Sequence, residues 1–396
     1  MKKSSQIAAR IDFPLLIAVI VTVSFGIIMI GSAGGREISL EHLSLGPIMR
    51  KQLLGLIVGL VILLIITFLS KELLNFLTVP AYIFMILLLV AVLAIGVGSG
   101  TEGEEGVRRW IPFFGGYTLQ PSEFAKFFLI LVLARFCETH SERINYFPNL
   151  ILYAMIVGVP LLLILWEPDL STTIVVFSIA AVILFASGLD WKYIVLALVI
   201  GGAAIYIILS DAYNPTGPRI LSEYQATRIW AFFEPEKYAQ NYAYQTLKSQ
   251  YAISSGGLTG VGLSNSSGMI PVPMTDFIFG ILGEELGFIG CSIYFMLLAF
   301  IVWRILYIGM HAKDLYGKLV CAGVGTWIAL QSAIHIGVNT AILPNTGIPL
   351  PFMSYGMSSL LSSLIGIGMV MQVYASAKRQ DLIYQVSDRD TARFSL

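Results

Sequence analysis

The chain has 396 residues, of which 57% are hydrophobic and 12% are charged. A soluble globular protein has about 25% charged residues, so the composition excludes that class and indicates a protein with many membrane-spanning segments. Lys plus Arg and Asp plus Glu both total 24, and the balanced charge gives no reason to expect a nucleic-acid partner. The three cysteines and four histidines are scattered without metal-ligand spacing, so we predict no built metal site.

Apolar runs long enough to span a bilayer recur ten times. They cover residues 12–32, 52–69, 79–98, 122–138, 149–166, 171–187, 192–210, 277–306, 317–341 and 355–375. We therefore predict an all-α polytopic membrane protein with ten transmembrane helices in a single domain over residues 1–375. An even number of spans places both termini on one side. Lys2, Lys3 and Arg10 before the first span indicate that this side is the cytoplasm.

Charged residues cluster where the fourth predicted span begins. Glu123 and Lys126 are three residues apart on one helix face and can pair. An unpaired charge deep in a bilayer costs about 2.5–3.5 kcal/mol, so pairing indicates an interior face or a watery cavity. The pair is either a structural lock between helices or, together with Arg109, a cationic site for a phosphate-bearing ligand. Gln120 and Ser122 beside it are further candidates for substrate binding.

The turn between the fifth and sixth spans, WEPDLST at 166–172, contains one more acid. Asp169 either caps the sixth helix or lines a cavity, and the cap is the favoured interpretation. The chain between the seventh and eighth spans, residues 211–276, is the longest outer loop. It is aromatic and has no cysteine pair, so we predict that it folds against the helices or lies on the membrane surface.

Two glycine patterns have ordinary interpretations. The segment GGLTGVGL at 256–263 superficially resembles a nucleotide-binding loop, but it follows no strand and has no Lys of a P-loop motif. We therefore reject nucleotide binding there. Gly55 and Gly59 form a GxxxG pattern that is typical of close helix packing.

The eighth span begins with an acid that is the main candidate for chemistry. Thr275 and Asp276 are typical of a helix start, where the helix dipole favours an ionised carboxylate. Asp276 is either a helix cap or a functional acid at the membrane surface. Glu284 and Glu285 follow about two turns further in and are candidate cavity-lining groups.

The remaining polar positions lie near the end of the chain. His335 and Asn339 are one turn apart in the ninth span, and an interhelical hydrogen bond is favoured over a ligand site. The loop 342–359 is rich in Pro and Gly and therefore rigid, and we expect Ser354 within it to help shape a pocket wall. The tail 376–396 is charged without periodicity, so we predict a disordered cytoplasmic tail.

The segments of unusual composition all fall on the predicted outer side, which indicates chemistry at the outer leaflet. Five of these motifs, RRWIPFFGGYTLQPSEFAK, EPDLSTT, SGGLTGVGL, TDFIFGILGEELGFIG and PNTGIPLPFMSYG, occur in this order. With them the chain, from about residue 12 to 375, resembles the SEDS proteins (shape, elongation, division, sporulation), the FtsW/RodA/SpoVE group. The resemblance implies a ten-helix peptidoglycan glycosyltransferase that polymerises lipid II and works with a class B penicillin-binding protein in the bacterial cytoplasmic membrane.

The resemblance also assigns residues. Asp276 matches the essential acid of the family, Glu123 and Lys126 match its PSE-x-x-K pair, and Arg109 matches its RW arginine.

The chain also departs from the family pattern. Met274 stands where the family usually has His, Val272 where it has Glu, and Met357 where it has Gly. EPDLSTT and PSEFAK favour the division and sporulation members over the elongation member.

Three alternatives stay open on the sequence. A divalent cation, Mg²⁺ or Mn²⁺, could share the stabilisation of a leaving pyrophosphate, although no dedicated cage is visible. The chain could be a lipid II flippase, which the charged set of Glu123, Lys126, Glu284 and Glu285 would support and the plain cytoplasmic loops oppose. It could also be a scaffold for a penicillin-binding protein that has no catalytic activity.

Overall fold

The protein is described by a computed structural model over residues 10–33, 38–39, 44–98, 108–113, 117–213, 223–241, 243–271 and 273–394. In chain order the helices are α1 (Phe13–Ala33), α2 (Pro47–Phe68), α3 (Lys71–Ile95), α4 (Pro121–Thr139), α5 (Phe147–Trp166), α6 (Leu170–Ala186), α7 (Trp191–Tyr213), α8 (Glu223–Phe233), α9 (Tyr244–Gly256), α10 (Ile278–Met310), α11 (Leu315–Asn339) and α12 (Met357–Phe394). A short 3-10 helix covers Ser141–Arg143. Two small antiparallel hairpins pair β1 (Ile38–Ser39) with β2 (Ser44–Leu45) and β3 (Ile111–Phe113) with β4 (Tyr117–Leu119).

A helix lies at each of the ten predicted spans, but they do not all have the length and composition of a membrane helix. Among the described residues, seven qualify: α1, α2, α3, α5, α10, α11 and α12 up to Arg379. Helix α6 is apolar but has only 17 residues. Helix α4 carries Glu123, Lys126, Arg135 and Glu138 within 19 residues. The chain is therefore a multi-pass membrane protein with at least seven candidate spans.

The helices pack with apolar side chains on the outside as well as inside. Phe76 of α3 is 75% exposed and Phe288 of α10 is 67% exposed, as expected when hydrocarbon rather than water surrounds the protein. Helices α11 and α12 lie at the centre, where most of their side chains are buried. The buried polar residues of these two helices, among them Gln331, His335, Asn339 and Ser362, therefore face protein and not lipid.

Gly55 and Gly59 of α2 allow α12 to approach closely. A Cβ atom at Gly55 would lie 2.7 Å from the Met357 Sδ atom, and one at Gly59 would overlap the Leu364 side chain. The predicted role of this GxxxG pattern in helix packing is confirmed.

Helix α10 is broken at Gly287, where φ is 62° and ψ is −161°. The glycine-rich segment 257–262 lies against the break and forms four main-chain hydrogen bonds with it. These run from Val261 N to Glu284 O, Gly262 N to Glu285 O, Phe288 N to Gly257 O and Ile289 N to Leu258 O, at 2.9–3.1 Å. This part of the predicted outer loop folds against the helices, and its glycines serve contact between two main chains.

The tail differs from the expectation. The backbone of α12 is helical to Phe394, whereas the sequence predicts disorder after residue 375. No glycine or proline follows Gly368, so nothing in the local sequence ends the helix.

Gly256→Ala is expected to destabilise the protein by about 1–3 kcal/mol, the usual cost of overpacking. The new methyl group would overlap Gly283 O and lie 2.8 Å from Glu284 O, both on the rigid backbone of α10. Gly158→Ala in α5 is the matched control, because no atom lies within 4 Å of its Cβ position. Thermal unfolding in detergent should show a lower midpoint for Gly256→Ala alone. Equal midpoints for the two variants would contradict the docking of the glycine segment on α10.

Candidate functional site

Asp276 lies in the turn that precedes α10. The N-cap position of α10 is Phe277, which forms no side-chain capping hydrogen bond, so the helix begins slightly later than the sequence predicts and Asp276 precedes the cap. The residue is half-buried. Asp276 thus lies at the end of the helix bundle, before the first turn of α10.

The buried amide of Asn339, at the end of α11, fixes the backbone around Asp276. Its Nδ2 atom donates to Asp276 O at 3.0 Å and to His335 O at 3.0 Å. Its Oδ1 atom accepts hydrogen bonds from Gly280 N and from Ser249 Oγ, both at 3.0 Å. All four hydrogen-bonding positions of the amide are therefore used, and the predicted interhelical role of Asn339 is confirmed.

Arg228 of α8 lies beside Asp276 at Gly347. A Cβ atom at Gly347 would be 3.3 Å from Asp276 Oδ2 and 3.7 Å from Arg228 Nη1, so both charged groups approach the same point. Gly347 has a φ of +68°, a conformation that favours glycine. The absence of a side chain here leaves the two groups close to the loop backbone.

Ser354 connects the Pro/Gly-rich loop to the turn that carries Asp276. Its hydroxyl donates to Thr275 O at 2.5 Å and accepts from Leu350 N at 2.7 Å. Tyr355 N donates to Met274 O at 2.8 Å, which connects the end of the loop to the residue two positions before Asp276. The loop is therefore built against the Asp276 turn.

Arg109 holds the turn between α5 and α6. Its Nε donates to Glu167 O at 3.1 Å and its Nη2 donates to Pro168 O at 2.7 Å. The Arg109 side chain is buried. The guanidinium thus fixes the backbone next to Asp169.

Asp169 caps α6, as the sequence favours. Its Oδ1 accepts from Thr172 N at 3.0 Å, and its Oδ2 accepts from Thr172 Oγ1 at 2.8 Å. The Ser122 hydroxyl and the Gln120 amide lie 3.5 Å from the same Oδ2. Gln120 N also donates to Ser358 Oγ at 3.1 Å, which joins this cluster to the first turn of α12.

Glu123 and Lys126 form a fully buried ion pair. Lys126 Nζ lies 2.8 Å from Glu123 Oε1 and also donates to Gln331 Oε1 at 2.8 Å. It lies 4.8 Å from the centre of the Trp327 ring, and Ser362 Oγ donates to Glu123 Oε2 at 3.2 Å. The pair connects α4, α11 and α12, and protein groups surround both charges.

Glu284 and Glu285 lie away from this network, next to the break in α10. Glu284 Oε1 accepts from Ser267 N at 2.8 Å, and Glu285 Oε2 accepts from the hydroxyl of Ser32 in α1. Both residues are buried. Their side chains therefore connect α10 to Ser267 and to α1.

The structure thus brings the predicted residues into separate groups that share one wall. The first contains Asp276 with Arg228, the second contains Asp169, Arg109, Gln120 and Ser122, and the third contains Glu123 and Lys126. The segment 344–358 contacts the first two groups through Gly347 and Ser358. It reaches the third through Gln331, which donates to Pro349 O at 2.8 Å and accepts from Lys126. Sequence reasoning missed Arg228 and Gln331, because no local spacing relates either of them to the residues that they meet.

Three comparisons with known proteins bear on this arrangement. A family model described as "Cell cycle protein", for FtsW, RodA and SpoVE, matches residues 13–379. The chain belongs to the FtsW/RodA/SpoVE family. A probable peptidoglycan glycosyltransferase FtsW of Trichlorobacter lovleyi is 32% identical over 93% of this chain and 94% of its own length. Stage V sporulation protein E of Bacillus subtilis is 38% identical over 72% of this chain and 75% of its own length.

A solved structure shows the same fold. It is described as "Structural coordination of polymerization and crosslinking by a peptidoglycan synthase complex", and one of its chains aligns with a TM-score of 0.75 and 28% identity, over 93% of this chain and 98% of that chain. The helical arrangement described above is therefore the fold of this family.

Lys126→Met is expected to destabilise this FtsW/RodA/SpoVE protein by about 3–5 kcal/mol, because it leaves the buried Glu123 charge without its partner. The double variant Glu123→Leu with Lys126→Met should cost less than the single variant. Lys237→Met is the matched control, since Lys237 and Glu234 have the same spacing but are 67% and 59% exposed, and it should cost less than about 1 kcal/mol. Unfolding curves in detergent measure all three. Equal costs at the buried and exposed pairs would contradict this account.

The raised pKa of Glu167 predicts that the stability of the folded protein depends on pH. Burial raises the pKa of Glu167 to about 9, the Asp169 carboxylate adds to the rise, and Arg109 opposes it. Neither carboxyl oxygen has a hydrogen-bond partner in the described part of the chain. The unfolded chain releases this proton near pH 4.3, whereas the folded protein keeps it to about pH 9. Proton binding by Glu167 therefore contributes to the free energy of unfolding at low pH, and this contribution is lost as the pH rises from about 4.3 to about 9.

Glu167→Gln should remove that contribution. The unfolding midpoint of the wild type should fall more steeply than that of Glu167→Gln between pH 5 and pH 8.5. Glu142→Gln, at an exposed glutamate, is the control and should behave as the wild type does. The same slope in wild type and Glu167→Gln would show that Glu167 is ionised in the folded protein.

Proposed function

We propose that the protein is a peptidoglycan glycosyltransferase that polymerises lipid II at the outer face of the cytoplasmic membrane. The observation that carries the proposal is the position of Asp276, a half-buried residue whose backbone Asn339 holds and whose carboxylate lies beside Arg228. The names of relatives support the reaction class: they include a probable peptidoglycan glycosyltransferase FtsW and the peptidoglycan glycosyltransferase MrdB of Escherichia coli.

The reaction needs a base for a weak nucleophile. It joins the 4-hydroxyl of one lipid-linked disaccharide to the anomeric carbon of another, and the bond from that carbon to the polyprenyl pyrophosphate breaks. Asp276 accepts the proton of the attacking hydroxyl, and general-base catalysis of this kind contributes about 10²–10⁴-fold. We assign a single displacement, which inverts the anomeric centre and requires of Asp276 only that it act as a base.

The leaving pyrophosphate needs positive charge. We assign this role to Arg109, which two backbone carbonyl groups hold in a fixed orientation. Gln120, Ser122 and Asp169 form the polar wall beside it. Lys126 acts through its charge and by holding α4 in place, because Glu123, Gln331 and the Trp327 ring enclose it.

A divalent cation would enter with the pyrophosphate. Among the described residues, no group of three or more His, Cys, Asp and Glu side chains is arranged to hold a metal ion. Mg²⁺ or Mn²⁺ bound to the phosphate oxygens would supply additional positive charge for the leaving group.

The proposal includes a topology and a partner. Ten spans place both termini in the cytoplasm and place the Asp276 turn, the segment 211–276 and the loop 342–358 on the outer face. The partner is a class B penicillin-binding protein that crosslinks the new strands, and the match to a chain of a peptidoglycan synthase complex supports such an assembly.

Asp276→Asn should abolish polymerisation, since an amide cannot accept the proton and keeps nearly the same shape. The assay follows fluorescent lipid II with purified protein and its cognate penicillin-binding protein, in the presence of penicillin and an inhibitor of class A transglycosylases. Asp190→Asn, at an exposed acid before α7, is the control and should retain full activity.

The other outcomes of this assay separate the alternatives. Equal polymer from Asp276→Asn and wild type would remove Asp276 from the mechanism. No polymer from a stable wild-type complex, together with movement of labelled lipid II across vesicles, would favour a flippase. No polymer and no movement would leave the scaffold.

A further inference from the structure

A small cavity lies beside the loop residues that precede Gly347, the glycine that Asp276 Oδ2 approaches. It is lined by Pro168 and Leu170 at the start of α6, by Arg228 and Ile229 of α8, and by the loop 344–346. Arg228 lines this cavity and also lies beside Asp276 at Gly347. A molecule in the cavity therefore lies within reach of the carboxylate that we propose as the base.

Two side-chain oxygen atoms of the cavity wall have no hydrogen-bond partner. They are Asn345 Oδ1 and Thr346 Oγ1, which are both buried and unpaired in the part of the chain that the structure describes. Buried polar atoms are nearly always paired, so these two oxygen atoms keep unused hydrogen-bonding capacity in residues of the cavity wall. The backbone here is fixed, because Ser171 Oγ donates to Thr346 O at 2.9 Å.

The chemistry of the wall fits a sugar. The Thr hydroxyl can donate and accept, the Asn oxygen accepts, and the guanidinium donates. Hydroxyl and acetamido groups of an amino sugar offer the complementary set. A phosphate fits less well, since neither the Asn345 oxygen nor the Asp276 carboxylate can donate a hydrogen bond to it and the carboxylate repels it.

The geometry of the displacement decides whether this sugar belongs to the acceptor or to the donor. In an inverting displacement the base and the leaving pyrophosphate lie on opposite faces of the anomeric carbon. Groups next to the base therefore contact the acceptor and not the leaving group. We propose that Arg228, Asn345 and Thr346 form the subsite for the N-acetylated amino sugar of the acceptor, the sugar that carries the attacking hydroxyl. This inference rests on the proposed function and names one half of its substrate site.

Thr346→Val tests the subsite, because it removes the hydroxyl and keeps the shape of the side chain and the backbone bond to Ser171. The donor is labelled lipid II whose terminal sugar lacks the 4-hydroxyl, so it cannot act as acceptor. Initial transfer rates are measured against the concentration of unmodified lipid II. The loss of one hydrogen bond should raise the acceptor KM about three- to tenfold and leave the donor KM within about twofold.

Thr340→Val is the matched control. Its hydroxyl donates to Ile336 O at 2.8 Å within α11 and does not line the cavity, so both KM values should stay at the wild-type level. Arg228→Gln should raise the acceptor KM further than Thr346→Val does. A rise in the donor KM alone would assign the cavity to the donor and overturn the proposal, as would unchanged constants in both variants.

A binding measurement separates this inference from the proposed function. If the wild-type complex transfers no sugar, the proposed function fails. Binding of the soluble N-acetylated disaccharide, followed by saturation-transfer NMR on the full-length protein, then decides the subsite. Weaker binding to Thr346→Val than to Thr340→Val supports it, and equal binding overturns it.

Discussion

The site depends on one buried side-chain amide. Asn339 is fully buried and uses both donor and both acceptor positions, on Asp276 O, His335 O, Gly280 N and Ser249 Oγ. It therefore joins α9, α10 and α11 at the point where the candidate base emerges. A buried polar group that loses its partner costs about 1–3 kcal/mol, so the four hydrogen bonds of the amide leave the Asp276 turn little freedom. The carboxylate can meet a substrate without a prior reorganisation of the backbone.

The loop between α11 and α12 is the second part of this framework. Side chains from three helices hold its carbonyl groups: Gln331 donates to Pro349 O, Tyr294 to Pro351 O and Gln52 to Ser354 O, at 2.8–3.2 Å. A loop fixed in this way acts as a rigid wall, as its proline and glycine content indicates. It also connects the buried Glu123–Lys126 pair to the Asp276 turn through Gln331, so a charge that never meets the substrate can influence the position of the base.

Local patterns predicted the features that depend on neighbours in the sequence. Apolar runs located the helices, the spacing of Glu123 and Lys126 predicted their ion pair, and the position of Asp169 predicted its cap. Arg228 and Asp276 approach each other at Gly347 although they are far apart in the chain. No periodic pattern in the sequence predicts this approach. The break at Gly287 lies inside a continuous apolar run, and only contact with the segment 257–262 explains it. The helical tail was missed because charge and lack of periodicity do not exclude a helix.

The contact of α2 with α12 limits which pairs of residues related sequences can have at the positions of Gly55 and Met357. The sulfur atom of Met357 lies over Gly55, where even one methyl group would crowd it. Size at one position therefore limits size at the other. A relative with glycine at the position of Met357 has room for a larger residue at the position of Gly55. The two positions should accordingly vary together among related sequences, with a bulky residue on one helix accompanied by a small one on the other.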